Sequence, residues 1–456
     1  MQSESTLNPL NAWQPWTPSE SEPWNRGRAS LLFRRGGFGA NEQQLRDAVK
    51  REPQEVVADL VSRGVNVEKS SSFEKESASL ASSIRASGDM TKLASWWLHR
   101  MLNSPAPIIE KMTLFWHGHF ATGAEKVLDL DLMYEQNQLL RQYCLGDFRK
   151  MVHEISKDPA MLIYLDSVTN RKAHANENYA RELMELFCLG EGNYSEADVQ
   201  ELAKCFTGWE IRRKQFRFNS YQHDNSEKAI LGKGSIKSGE EAIDVVLDSE
   251  AMPRFIAYKL YKFFVCDEPE PSAELLQPLA KKFAESDYKI GPVVEMILGS
   301  RLMLSGWSVG KRVRSPIELT IELMRSLNVT ANLTKLAERL KPLGQSLFFP
   351  PNVKGWVGGR AWINSSTLIG RSNLVYDLLN DENTRIEGKP INEWSQSVNL
   401  SNSKQWVDSL AEALFASKPS TTEQQTILSR LEKAPKGSLA KQAIIELATL
   451  PRIHVS

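Results

Sequence analysis

Two histidines stand two residues apart in FWHGHFATG, Phe115 to Gly123, in a chain that has only seven histidines. Imidazoles at this spacing can hold a metal ion, exchange protons with a substrate, or pack at the end of a helix. Backbone geometry separates these readings. At 3.6 residues per helical turn, side chains at i and i+2 point about 200° apart. His117 and His119 therefore share an ion only where the chain leaves helical geometry. In an extended segment the same two residues lie on one face. Gly118 between them and the following HFATG read as a helix end, and Phe115, Trp116 and Phe120 supply aromatic walls. The chemical reading makes both residues metal ligands and His119 catalytic as well. The packing reading has His117 capping the helix while His119 fills space.

A second candidate is NENYARELMELFCLG. At 100° per residue, Arg181, Glu182 and Glu185 fall within about 60° of Asn178, opposite Leu183, Met184 and Phe187. A solvated face is the ordinary explanation. Leu189 projects into the same arc, however, and Cys188 borders it. The arc can thus face a second layer, with Arg181, Glu182 and Glu185 as catalytic candidates and Asn176 and Asn178 as binding candidates. A third candidate is YQHDNSEKAILG, where an adjacent pair, His223 and Asp224, sits among turn residues. It can bind metal, or Asp can orient a histidine base, or the segment is an Asx turn with a surface histidine. His117, His119, Glu182, His223 and Asp224 then form one metal set. Mixed N/O ligands with an open position suit Zn, Mn or Fe.

The glycine-rich stretches RRGGFGA and KGWVGGR match neither a P-loop nor a strand-bound dinucleotide motif. Tight turns explain them. Were the two loops to converge, Arg34, Arg35, Lys354 and Arg360 would make an anion cradle, with Trp356 and Trp362 placed to stack on a sugar or ring. The chain has no C-x-x-C-H, which excludes covalent haem attachment.

The elements that position these residues are mostly helical. The chain has 456 residues, 41% of them hydrophobic, with 56 basic and 56 acidic side chains. A net charge of zero supplies no global field toward nucleic acid or anionic membrane. No window is apolar enough to span a membrane, and no secretory signal opens the chain; the expected location is the cytoplasm unless a partner carries the chain out. Cys144, Cys188, Cys205 and Cys266 lie far apart and read as reduced core residues. The expected fold is mainly α: a large helical domain over residues 26–381 with one small hairpin near 209–232. An extended arm (1–25) whose tryptophans pack on the body precedes it. A linker (382–401) and C-terminal helices (402–456) follow.

Six segments carry a resemblance: LLFRRGGFGA, LFWHGHFATG, DPAMLIYLD, NENYARELMELFCLGEGNYSEADVQELAKCFTGW, HDNSEKAILG and PPNVKGWVGGRAWINSSTL. They resemble the bacterial family known as domain of unknown function 1800. Ser30 stands where relatives often carry histidine, which weakens any role for a histidine there. The resemblance implies a mainly helical fold. Through the gene neighbours common in that family, it also implies a twin-arginine-exported, sulfatase-like partner and joint export to the periplasm. The residues and the resemblance together leave three functions open: a metal-assisted hydrolase using a histidine/carboxylate pocket; a non-catalytic partner of the sulfatase-like protein or of a polysaccharide; and a haem- or metal-dependent redox enzyme.

Overall fold

Side-chain caps decide where many of the helices begin. Asn41, Ser195, Ser238, Ser315, Asn364 and Ser420 each accept a hydrogen bond from the backbone N–H three residues on, and the side chain at that third residue returns a bond to the cap. Each box satisfies two N–H groups that the first helical turn leaves free. The structure, a computed structural model, describes residues 9–65, 71–398, 402–435 and 437–456. Helices dominate it, so the fold is mainly α.

The helix Pro107–His119 is the pivot. Proline opens it, where its missing N–H costs nothing, and twelve of its thirteen residues are buried, Glu110, Lys111 and His117 among them. It has no solvent face because helices Pro53–Val65, Met90–Asn103 and Leu130–Tyr143 pack around it. Apolar side chains gather in two clusters. One includes Met112, Trp116, Phe148, Phe187, Leu260 and Val294. The other includes Trp97, Leu114, Ile321, Leu374, Leu414 and Ile444. Helices Ser403–Phe415 and Leu439–Ala448 thus complete the second core.

The arm packs as expected: Trp13 and Trp16 are buried, and the Trp13 Nε1–H donates to the Leu275 carbonyl at 2.6 Å. Its first eight residues lie outside the described residues. Strand content exceeds the single expected hairpin. Trp209–Arg212 pairs with Gln215–Phe218, a second hairpin joins Lys228–Ile230 to Lys233–Ile236, and Arg385–Ile386 pairs with both Val329–Thr330 and Lys389–Pro390. Residues expected as a linker therefore hold two short strands and the helix Ile391–Ser397, with Ile386 and Trp394 buried; residues 399–401 lie outside the described residues.

Candidate functional site

His117 and His119 both belong to the Pro107–His119 helix, which is capped at Phe120 by a bond from its N–H to the Trp116 carbonyl. Helical winding sends them to different surroundings. The His117 Nε2 accepts the Phe348 N–H at 3.2 Å, and the ring lies among Trp97, Phe348 and Trp356. The His119 Nε2–H donates to the Phe187 carbonyl at 2.9 Å, among Phe115, Phe120 and Phe255. Burial pushes both down to about 3. For His119 the charge of Lys259 adds to burial, and the bond to Phe187 opposes it. Both rings are neutral at ordinary pH. The reading in which they converge on one ion is corrected here: the helix does not unwind at Gly118.

The Phe187 carbonyl is available because of its own helix. After Asn178–Glu182 the chain winds as a π-helix over Leu183–Cys188, and the Leu189 N–H reaches back five residues to the Met184 carbonyl at 2.8 Å. The wider turn rotates Cys188 and Leu189 into the core, where both are buried. It also ends the 100° phase that placed Leu189 in the polar arc. The arc itself is partly exposed. Arg181 pairs with Glu196 and Glu177, and Glu185 accepts from the Tyr194 hydroxyl at 2.9 Å. Burial and the neighbouring Glu185 push the Glu182 carboxyl up. Asn176 and Asn178 build the turn before this helix: the Asn176 side chain accepts the Asn178 N–H at 2.9 Å.

His223 is held by backbone on both sides, Nδ1 to the Thr207 carbonyl at 2.9 Å and Nε2 to the Lys237 carbonyl at 2.8 Å. Both nitrogens are thus turned onto backbone within the fold, and neither is aimed at the other candidate ligands. Asp224 accepts from the Ser226 N–H at 2.8 Å and its hydroxyl at 2.6 Å, the Asx turn. Among the described residues no three His, Cys, Asp or Glu side chains stand together as a metal-holding group. The expected set of His117, His119, Glu182, His223 and Asp224 is not assembled.

What the structure does assemble is a cleft of about 250 Å³ between the end of the Pro107–His119 helix, the Ala251–Phe264 helix and the 352–362 loop. His119, Phe115, Tyr258, Trp356 and Trp362 line its walls, with four cations, Lys259, Lys262, Lys354 and Arg312. The loop fits closely. A Cβ at Gly355 would lie 2.1 Å from the Gly118 carbonyl oxygen, so the glycine of KGWVGGR and the glycine between the two histidines meet backbone to backbone. Lys354 anchors one end of the loop to Glu185 at 3.8 Å, and Arg360 anchors the other to Glu268 at 2.6 Å. Val357 stands 88% exposed at the lip.

Arg312 forks onto Glu318 at 2.8 and 3.0 Å, and Lys111 reaches the same carboxylate at 2.5 Å. Burial alone would push Glu318 up; these two cations reverse that and hold it well below the usual carboxylate range. Behind them lie Arg34 and Arg35. They do not form an anion cradle. Arg34 donates to the Leu414 carbonyl at 2.6 Å, and Arg35 to the carbonyls of Phe264, Val265, Ser308 and Ser456. Of the expected binding residues, Lys354 and Trp356 line the cleft, Arg360 is tied at the end of its loop, and Arg34, Arg35, Asn176 and Asn178 lie elsewhere.

Sequence reasoning passed over Lys259, Tyr258 and Arg312. The available signal was a lysine within an aromatic run, AYKLYKFF, and two arginines directly before a helix start, KRVRSP. The class is thus a helical protein whose loop closes over a basic, aromatic-walled cleft. The chain belongs to the family described as protein of unknown function (DUF1800), whose model matches residues 31–451. No curated protein and no solved structure matches the chain. Among the described residues no helix is long and apolar enough to cross a membrane.

Proposed function

We propose that this chain is a binding protein for an anionic saccharide, seated in the cleft between His119, Lys259 and the 352–362 loop. One observation carries the reading. Lys259 and Lys354 face a tryptophan-walled cleft, and Lys259 has no carboxylate partner among the described residues. A half-buried ammonium without a counter-ion is costly and gains most from a ligand that brings its own negative charge. Trp356 and Trp362 offer flat apolar faces to a sugar ring, while Tyr258 and the loop supply polar groups at the rim, the usual balance of a small-ligand site. The binding reading is favoured over metal-assisted hydrolysis because, among the described residues, no three His, Cys, Asp or Glu side chains stand together to hold an ion. A sulfatase-like exported partner, expected from the family resemblance, acts on ligands of the same anionic class; the partnership belongs to this proposal.

Calorimetric titration tests it with sulfated and unsulfated forms of one oligosaccharide. The sulfated form should bind at least tenfold more tightly, weaken with added salt, and lose affinity in Lys354→Met and Trp356→Ala. Equal affinity for the two forms, or binding untouched by either substitution, would sink the reading.

A further inference from the structure

We infer that Lys259 is an amine nucleophile, which forms a reversible imine with the carbonyl carbon of an anionic aldehyde or ketone bound in this cleft. The inference rests on the anion-binding reading above and deepens it. The open-chain aldehyde of a reducing anionic sugar is the member of that ligand class it selects.

The cations of the cleft differ in what occupies them. Lys262 donates to Glu270 at 2.7 Å and to the Asp267 carbonyl. Arg312 is spent on Glu318. Lys354 lies 3.8 Å from Glu185 and 3.9 Å from Glu191. Lys259 has no such neighbour among the described residues. Its Nζ sits 5.2 Å from the Phe255 ring centroid. Tyr258, Lys262, Asp267, Arg312 and Glu318 share the cleft lining, and the charge that acts on Lys259 is that of Lys354, while its own charge acts on His119. A lysine kept only for packing or surface charge would be paired or solvated. This one is turned into an aromatic cleft beside a second lysine.

Both features favour the neutral amine. Burial comes first and the charge of Lys354 second, and together they lower Lys259 from its ordinary value. Desolvation and an adjacent cation are the two devices that make a lysine nucleophilic near neutral pH. The neighbouring His119 ring cannot hold the released proton, being pushed down to about 3, so the ammonium gives it to water.

The reaction is a condensation. The amine lone pair forms a C–N bond to the carbonyl carbon as the C=O π pair moves to oxygen, which takes a proton. The carbinolamine then loses its hydroxyl as water while nitrogen, whose two N–H protons pass through solvent to that oxygen over the two steps, shares its pair to form C=N. One water is released and nothing is oxidised or reduced. The anionic group of the ligand stays beside Lys354, and the sugar ring next to the opened reducing end lies against the tryptophans.

Pyridoxal 5′-phosphate is a suitable probe, since it is a flat aldehyde carrying a phosphate. The full chain is mixed with an equimolar amount, reduced with borohydride, digested and mapped by mass spectrometry. Label should fall on Lys259 at least tenfold above any other lysine. It should vanish from that peptide in Lys259→Arg, whose melting temperature reports folding. It should fall in the wild type when the sulfated oligosaccharide competes. The inference is overturned if label spreads over surface lysines, or if Lys354 takes it instead. If the sulfated oligosaccharide binds yet no label reaches Lys259, the imine is wrong and the cleft reading stands. If propionaldehyde labels Lys259 as selectively as the phosphate aldehyde, the nucleophile stands and the anion reading falls.

Discussion

At the scale of single residues, the two histidines of FWHGHF are packing groups with polar duties, and this gives them a measurable acid signature. Each is neutral in the fold, pushed down to about 3 by burial, whereas a free histidine titrates near 6.5. A group depressed in the folded state contributes stability that is complete above its unfolded value and is lost as pH falls toward its folded value. The window is therefore pH 6.5 down to about 3, at roughly 1.4 kcal/mol per pH unit for each histidine. We expect the melting temperature to fall through that range. His117→Ala should cost roughly 1–3 kcal/mol at pH 7, because the Phe348 N–H loses its acceptor, and the gap to wild type should narrow at pH 4. Denaturant midpoints at the two pH values decide it; a constant gap would show that His117 does not titrate on unfolding in this window. The four cysteines give a second residue-level prediction. All are free and buried, and burial pushes Cys144 and Cys205 up to about 12. A thiol reagent should find none of them reactive in the native protein and all four after denaturation; fast labelling of the native chain would contradict this.

At the scale of elements, the cleft exists because a glycine lets one backbone touch another. Gly355 has φ +70° and approaches Gly118 too closely for any side chain, whereas Gly358, at φ +78°, has nothing within 4 Å of a built Cβ. The two alanine substitutions separate strain from contact. Gly358→Ala should cost about 1–3 kcal/mol, the penalty of a backbone conformation (φ +78°, ψ −168°) open essentially to glycine alone. Gly355→Ala adds a clash with the Gly118 carbonyl. It should cost more and lift Trp356 off the helix end, seen as a red shift of tryptophan emission. Equal costs for the two would show that the loop yields without resistance. Much of this scale was legible in the sequence. The caps at Asn41 and Ser195, the hairpin alternation of EIRR and QFRF, and the packing of Trp13 and Trp16 all follow from local rules. The histidine directions were not legible, because they turn on whether the helix ends at Gly118 or at His119. The π-helix was not legible either. A 100° step is assumed in every wheel, and the extra residue per turn at Leu183–Cys188 comes from tertiary packing. Lys259 was missed for a third reason: a lysine in YKLYKFF looks like an amphipathic punctuation mark until the partners it lacks can be counted.

At the scale of the whole molecule, the two apolar clusters are joined by charge. Lys111 comes from the helix central to the fold, Glu318 and Glu322 from Pro316–Ser326, Arg34 from Arg26–Arg35, and Arg314 from the turn before Glu318. Arg314 pairs with Glu322 at 3.2 Å without hydrogen-bond alignment, and both Arg34 and Arg314 give N–H groups to the carbonyl of Leu414 in the Ser403–Phe415 helix. A buried charge left without its partner is far more costly than the net worth of the pair. Glu318→Gln, which strands Arg312 and Lys111 together, should therefore cost roughly 3–5 kcal/mol. The same logic makes the C-terminal helices part of the core. Removing residues 402–456 would take away the acceptors of Arg34, Arg314 and Ser30, whose hydroxyl donates to the Ala413 carbonyl at 2.8 Å. It would also expose the apolar face that Leu414 and Ile444 cover. We expect one calorimetric unfolding transition for the full chain, and a truncated chain that does not fold cooperatively. Two separated transitions, or a truncated protein that melts where the full chain does, would show that the charged seam does not couple the clusters.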